Sequence, residues 1–323
     1  MPRISALRPH TAPFVRESAG FRYLTLTAAV SLALVSGISS PASATFTLGS
    51  ASQFAVLGQF SNNQTNFNNG TIIGGDVGIG SPRQFTASNG TVNGSIRFSG
   101  ASNTTGLTPD PDPGSNAGPF TVSGGGSVTG AVVANDAIVT SAINDMNNLS
   151  LTLGGEAGTN LTLTSTQTML AISGPLDGTG NRVFDTTSVN LNNATTLTIS
   201  GSASDWVVIN VTDNNPAFNG KIVLTGGITS DQVLFNMFGG NYVTHTGGPT
   251  LTVSTNGQVT TGIFLDPNGA MQINHSVLNG RFFGGDVANQ QIVSGTNINI
   301  PEPSTPLLLA FALVGFAAQR RRA

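Results

Sequence analysis

Residues 69–80 read NGTIIGGDVGIG, and the phrase returns at 89–100 as NGTVNGSIRFSG, with shorter echoes in GSVTGAV (126–132) and SVLNGRF (276–282). Each copy carries a hydroxyl residue, a β-branched residue and a following glycine. Gly70 and Gly90 are twenty residues apart, a spacing within the range of stacked-coil repeats. Gly74, Gly94 and Gly130 stand at matching places four residues after a leading glycine. Only glycine enters positive-φ corners freely, and a coil that bends after every short strand needs such corners. The expectation is a rung: Ile72, Val92, Val128 and Val277 face inward and lie over one another at the strand spacing of about 4.8 Å.

The text between the phrases supports this. Short β-like runs recur between Gly, Asn and Ser: FAVLG (54–58), LTLTS (161–165), TLTIS (196–200), KIVLT (221–225), VLFNMF (233–238) and TLTVS (250–254). In TLTIS the aliphatic Leu197 and Ile199 point one way and Thr196 and Thr198 the other. The predicted class is therefore all-β, a parallel β-solenoid (β-helix). An antiparallel sandwich would also contain Asn-Gly turns, and strands running in opposite directions would identify it.

Two stretches leave the pattern. In NDAIVTSAINDMNNLSL the apolar residues Ile138, Val139, Ala142, Ile143, Met146 and Leu149 fall on one face of a helix, about 136–149, with Asn135 as N-cap. At about 20 Å it would cover about four rungs. GLTPDPDPGSNAGP (106–119) is a Pro-rich insertion that belongs to no strand.

Both termini differ from the core, giving a division into 1–44, 45–300 and 301–323. Arg3, Arg8, Arg16 and Arg22 precede an apolar stretch at 23–39, and Ala42-Ser43-Ala44 offers a cleavage site before Thr45, so residues 1–44 read as an export signal with its own helix. At the other end, PEPSTPLLLAFALVGFAAQRRR (301–322) joins a Pro-rich breaker, an apolar run from Leu307 to Ala318 and the stop Arg320-Arg321-Arg322. Twelve residues of helix reach about 18 Å against a hydrocarbon core of about 30 Å. This marginal span, with its arginines on the cytoplasmic side, suits transient membrane contact followed by cleavage.

That order of parts resembles the PEP-CTERM sorting signal, with Pro301, Glu302 and Pro303 as its tripeptide. The resemblance implies an exosortase-type membrane peptidase as partner. It also implies a Gram-negative host, passage through the inner membrane, and delivery to the cell surface or extracellular matrix. In the core, SQFAVLGQF, NNGTIIGGDVGIG and NGTVNGSI are similar to the opening of bacterial ice-binding-like adhesin domains, which implies a right-handed β-solenoid with a helix alongside. TTLTISGSASDWVVINV, VLFNMFGG and GIFLDPNGAMQINHSVLNGRFFGGDV look like the choice-of-anchor A family of surface proteins.

Charge and composition narrow the function. Residues 45–300 contain Arg83, Arg97, Arg182, Lys221 and Arg281 against thirteen carboxylates, a formal charge of 5 − 13 = −8. This excludes a basic footprint for nucleic acid. The chain has no cysteine, which removes disulfides and thiolate chemistry. No nucleophile elbow or phosphate loop occurs, and His245 and His275 each stand alone beside a turn. Asp110, Asp112 and Asp266 could offer carboxylates to calcium, but Asp-Pro and Pro-Asn-Gly are ordinary turn chemistry. Asn210 in VIN and Asn236 in LFN fit an internal ladder of amides between rungs. Trp206 reads as core, or as a glycan-stacking ring.

The reading that follows has no catalytic residue, cofactor or metal. It is an exported structural or adhesive rod that binds exopolysaccharide or another surface polymer. A second reading is ice binding through an aligned Thr face made by Thr162, Thr164, Thr196, Thr198, Thr250 and Thr252. A carbohydrate-active enzyme is the third, since fold does not decide function.

Overall fold

The structure, a computed structural model, describes residues 46–60, 63–81, 83–100, 120–165, 169–171, 180–243, 247–286 and 288–300. Every strand pair among them is parallel, as in Val207–Val211 on Val233–Met237 and Gln64–Asn68 on Gln84–Ser88. The strands form three faces of a tube, so the solenoid expectation holds and the antiparallel sandwich does not.

The helix face runs, strand on strand, through 132–133, 96–98, 76–79, 54–58, 281–284, 263–266, 233–237, 207–211, 182–186 and 159–160. A second face of nine strands runs from 163–164 to 120–123. The third contains 127–128, 91–92, 72–74, 297–299, 277–279 and 259–261, then, beyond a break, 221–225, 196–200 and 169–171.

The rungs do not stack in chain order. Those beginning at 54, 76, 96 and 132 step outward. Helix α1 (Ala137–Gly154) then intervenes, and a second series beginning at 159, 182, 207 and 233 steps back. Its last rung lands on the first: Phe282 pairs with Val56, Ile292 with Phe67 and Ile298 with Ile73. The two ends of the repeat region therefore meet in the middle of the stack.

At this seam two arginines act as staples. Arg83 is 1 % exposed. It donates through Nε to Gln59 O (3.0 Å), through Nη1 to Gln64 O (3.0 Å) and through Nη2 to Gly285 O. Burial pulls its pKa down to about 10, with nearby Asp286 opposing the shift. Arg281 donates from Nη1 to Ser52 O (2.7 Å) and Phe54 O (2.6 Å) while its Nε meets Asp231 at 3.1 Å.

Inside the tube, Leu278, Ile298, Ile73 and Val92 form one column of fully buried residues, continued by partly buried Val128. This corrects the expected column by one residue at two rungs, because Ile72 is 40 % exposed and Val277 is not in the core. Thr71 occupies the corner instead, donating to Asn68 O (2.7 Å) and Ile292 O (3.1 Å), which delays the strand by a residue. The matching glycine is accordingly Gly75, not Gly74: a Cβ on Gly94 would collide with the Gly75 carbonyl, and one on Gly280 with that of Gly262.

Helix α1 is longer than expected, 18 residues or about 27 Å. Its N-cap is Asp136, whose carboxylate accepts from Ile138 N at 3.0 Å and from Arg97 Nη1 at 2.9 Å. Asn135, expected in that role, sits at φ 55° in the preceding turn. At about 4.8 Å per strand, 27 Å covers between five and six rungs rather than four. Val139, Ala142, Ile143, Met146 and Leu153 pack on Leu57, Phe283, Ile263, Leu234, Val208 and Val183. The protein thus has two apolar layers, one inside the tube and one between tube and helix.

Candidate binding faces

Charge is segregated. The carboxylates of Asp76, Asp136, Asp145, Asp185, Asp205, Asp213 and Asp231 each accept a hydrogen bond from the protein. Arg97 joins Asp76 (3.0 Å) to Asp136 (2.9 Å), and Arg182 meets Asp205 at 3.2 Å. Among the described residues no group of three His, Asp or Glu side chains could hold a metal. His275 is an exposed corner residue at φ 44°; His245, Asp110 and Asp112 lie outside the described residues.

The second face is uncharged. One outward row runs through Thr164, Asn190, Ala217, Thr252, Gln272, Gln291, Asn66 and Thr86, held by ladder pairs from end to end. Alternation makes it: in Ala270–Asn274, Met271 and Ile273 go inward while Ala270, Gln272 and Asn274 go outward. A shallow groove of about 300 Å³ crosses this face, lined by Thr250, Ala270, Gln272, Ala288, Asn289 and Gln291. Beside it, Gln64 Nε2 donates to Gln84 Oε1 at 2.8 Å, so the amides already link rungs.

The six threonines of the expected array divide between faces. Thr164, Thr250 and Thr252 stand on the second face, Thr196 and Thr198 on the third, and Thr162 at the corner before 163–164. Asn190 and Ala217 separate Thr164 from Thr252. What sequence reasoning missed is the amide pair of Gln272 and Gln291, with Asn66 next in the row but buried, and the parity of AMQIN and QQIV carried its signal.

The asparagine ladder exists, but outside the tube and not inside it as expected, buried between the helix face and α1. Asn236 Nδ2 donates to Asn210 Oδ1 (2.9 Å) and Ser150 O (3.1 Å), and Asn210 Nδ2 to Leu153 O (2.9 Å) and Asp185 Oδ1 (3.2 Å). Ser150 Oγ donates to Asn236 Oδ1 (2.6 Å) and lies 2.8 Å from the Tyr242 hydroxyl. Burial raises the Tyr242 phenol to about 12. The ladder is a clamp on the C-terminal half of α1. Trp206 belongs to the same layer, edge-on to Phe46 at 4.9 Å.

Asp266 is fully buried in its turn. Burial pushes its carboxyl well above the usual range, against the opposing pull of the Gly269 and Asn268 amides. Neither carboxylate oxygen completes a hydrogen bond of good geometry with them. With two N–H groups beside it, this carboxyl terminates a turn and is a poor cation ligand.

On the third face the ladder breaks between 221–225 and 259–261, leaving a groove of about 580 Å³ lined by Lys221, Val223, Leu224, Val259, Thr261, Asn279, Asn299 and Ile300 among others. Among the described residues no helix is long and apolar enough to cross a membrane. Ala42, Ala44, Thr45, Pro301, Glu302, Pro303 and Arg320, Arg321 and Arg322 lie outside the described residues.

Three strand faces and a covering helix define a parallel β-solenoid. The chain belongs to the family of putative ice-binding-like adhesive domains, whose model matches residues 42–295, and a PEP-CTERM protein-sorting motif matches 299–322. The motif implies exosortase-dependent processing and export to the cell surface or extracellular space of a Gram-negative bacterium.

Similar solved structures include an ice-binding protein from an Antarctic Flavobacteriaceae bacterium, 17 % identical, with TM-score 0.51 over 81 % of this chain and 48 % of that one. Others are an ice-binding protein from an Antarctic biological consortium (16 %, TM-score 0.48, 80 % and 91 % covered) and one from an Arctic yeast (18 %, 0.48, 81 % and 98 %). At these identities the likeness concerns the fold. Comparison with curated proteins finds no match. Of the resemblances read from sequence, the adhesive-domain and sorting-signal ones are carried by family models, while choice-of-anchor A stays a resemblance.

Proposed function

We propose that the mature protein, cut after Ala44 and released from its 301–323 tail, is a matrix adhesin whose second face binds exopolysaccharide through rows of uncharged side chains. The observation that carries this reading is the accessible amide pair of Gln272 and Gln291, neighbours on a face without charge and both lining the groove at Ala270. Primary amides donate and accept at once, which suits sugar hydroxyls, and a repeat every 4.8 Å or so lets many weak contacts add along one polymer. Committed arginines and carboxylates support a binding role over a catalytic one.

Ice binding is the second reading, favoured by the flat, neutral ladder and by what the similar structures are named for. Against it, glutamine holds about 1.5–2 kcal/mol of side-chain entropy that an ordered-water surface must remove. Thr or Ala fills three of the four places from Thr164 to Thr252, but amides fill the next three.

Retention of the purified protein on immobilised native exopolysaccharide, alongside an ice-recrystallisation assay, tests both. The adhesin reading expects retention that Gln272→Ala/Gln291→Ala weakens at least about tenfold, at about 0.5–1.5 kcal/mol per lost hydrogen bond, with ice growth unaffected. Inhibition of recrystallisation by micromolar protein together with no retention would replace it with the ice reading. Release of reducing sugar would replace both.

A further inference from the structure

We propose that the third-face groove seats the Pro301-Glu302-Pro303 tripeptide of this same chain before its tail is removed, with the Lys221 ammonium paired to the Glu302 carboxylate. The groove is built into the fold. The rungs on either side of it stay paired on the other two faces, Val207–Val211 on Val233–Met237 and Ala217–Phe218 on Thr252–Val253, so the split is confined to the third face. Residues 226–232 wedge into it, with Ile228 buried in the tube core.

The occupant is identified by where the chain goes next. Ile300, the last described residue, lines the groove, so residue 301 starts at its mouth. A Pro-Glu-Pro segment advances about 3.1 Å per residue when extended, which brings the Glu302 backbone about 6 Å beyond Ile300. Neither proline has an N–H to satisfy. Both can therefore lie along the groove without stranding a donor.

Charge selects the middle residue. Lys221 is half-buried, has no acceptor among the described residues, and is the chain's single lysine. The outward residues of the neighbouring strands, Val259, Thr261, Val277, Asn279, Asn297 and Asn299, carry no charge. One cation in a neutral groove matches one carboxylate on a tethered peptide, and tethering supplies an effective concentration of order millimolar. Seated in this way, the tripeptide is held against the folded domain until the peptidase draws it out. The inference does not depend on what the second face binds.

The single lysine makes the test clean. Zero-length carbodiimide coupling of the detergent-solubilised, tail-intact chain can join a carboxylate only to Lys221 or the N-terminus. Mass spectrometry of the digest should find Lys221 joined mainly to Glu302 out of fifteen carboxylate side chains, and Glu302→Gln should remove that product. Asn279→Trp, at an exposed position, fills the groove without touching the core and should lower the coupling about tenfold, as expected for loss of a seated over a merely tethered pair. The Lys221→Glu/Glu302→Lys exchange should restore it. Coupling that Asn279→Trp leaves unchanged, that falls mainly on Asp231, or that links two chains would overturn the proposal. So would preferential coupling of Lys221 to added polygalacturonate oligomers with Glu302 intact.

Discussion

The helix face and the second face are built from short strands in the same parallel register, and they differ in what lies on their outer side. Under α1, Phe54–Gly58, Val207–Val211 and Val233–Met237 are buried at every position. On the second face, Thr250–Val253 and Ala270–Asn274 alternate buried and exposed. A strand covered on both sides reads as a continuous apolar run, and one open on one side reads with period two. The same ladder therefore serves two ends. The helix side concentrates stability and ion pairs, and the second face is left free to carry uncharged groups at regular spacing. Substitutions should separate the two faces sharply.

The largest effect is expected from the interlayer core. Leu234→Ala should cost about 2–5 kcal/mol in urea unfolding, whereas Gln291→Ala on the second face should stay within about 0.5 kcal/mol. Comparable losses at both positions would break the division. At the seam, Arg83→Met should cost about 2–3 kcal/mol by leaving buried carbonyls without donors. Limited proteolysis should then show the first and last rungs separating early. Asn236→Ala should cost about 1–2 kcal/mol, because both Asn210 and Ser150 lose a partner, and hydrogen exchange should rise in the C-terminal half of α1 before it rises elsewhere.

A pH-dependent effect comes from Asp266. Its folded pKa is raised, so its contribution to stability is present below the unfolded value near 3.8 and is lost as pH rises through the folded value. The advantage of Asp266→Asn over the wild type should therefore grow with pH, by about 1.4 kcal/mol per unit between 3.8 and the folded pKa, and level off above it. Unfolding curves from pH 5 to 9 measure it, and an advantage that shrinks with pH would contradict the burial of this carboxyl.

Much of this was legible in the sequence. Leu197 and Ile199 are buried and Thr196 and Thr198 point outward, as the period-two reading of TLTIS requires. VIN and LFN also announced the ladder of Asn210 and Asn236. The stacking order was not legible, because parallel rungs resemble one another chemically and nothing local marks 281–284 as the neighbour of 54–58. The one-residue slip at Ile72 has a local cause: Thr71 turns the corner through its hydroxyl, which a glycine-to-glycine alignment ignores. Arg83 shares inward parity with Phe85 and Ala87, a signal masked by the ordinary preference of arginine for water. The threonines gave no array because pairing in chain order fails where consecutive Thr-x-Thr units fall on different faces.

The central claim is that the neutral second face, and not the charged helix side, makes contact with the matrix. One comparison tests it most directly: retention on immobilised native exopolysaccharide of Thr86→Asp/Gln291→Asp against Leu151→Asp, a charge placed at an exposed position on α1. The account predicts loss of retention for the former and wild-type retention for the latter, with equal thermal stability. Equal retention by all three proteins would contradict it.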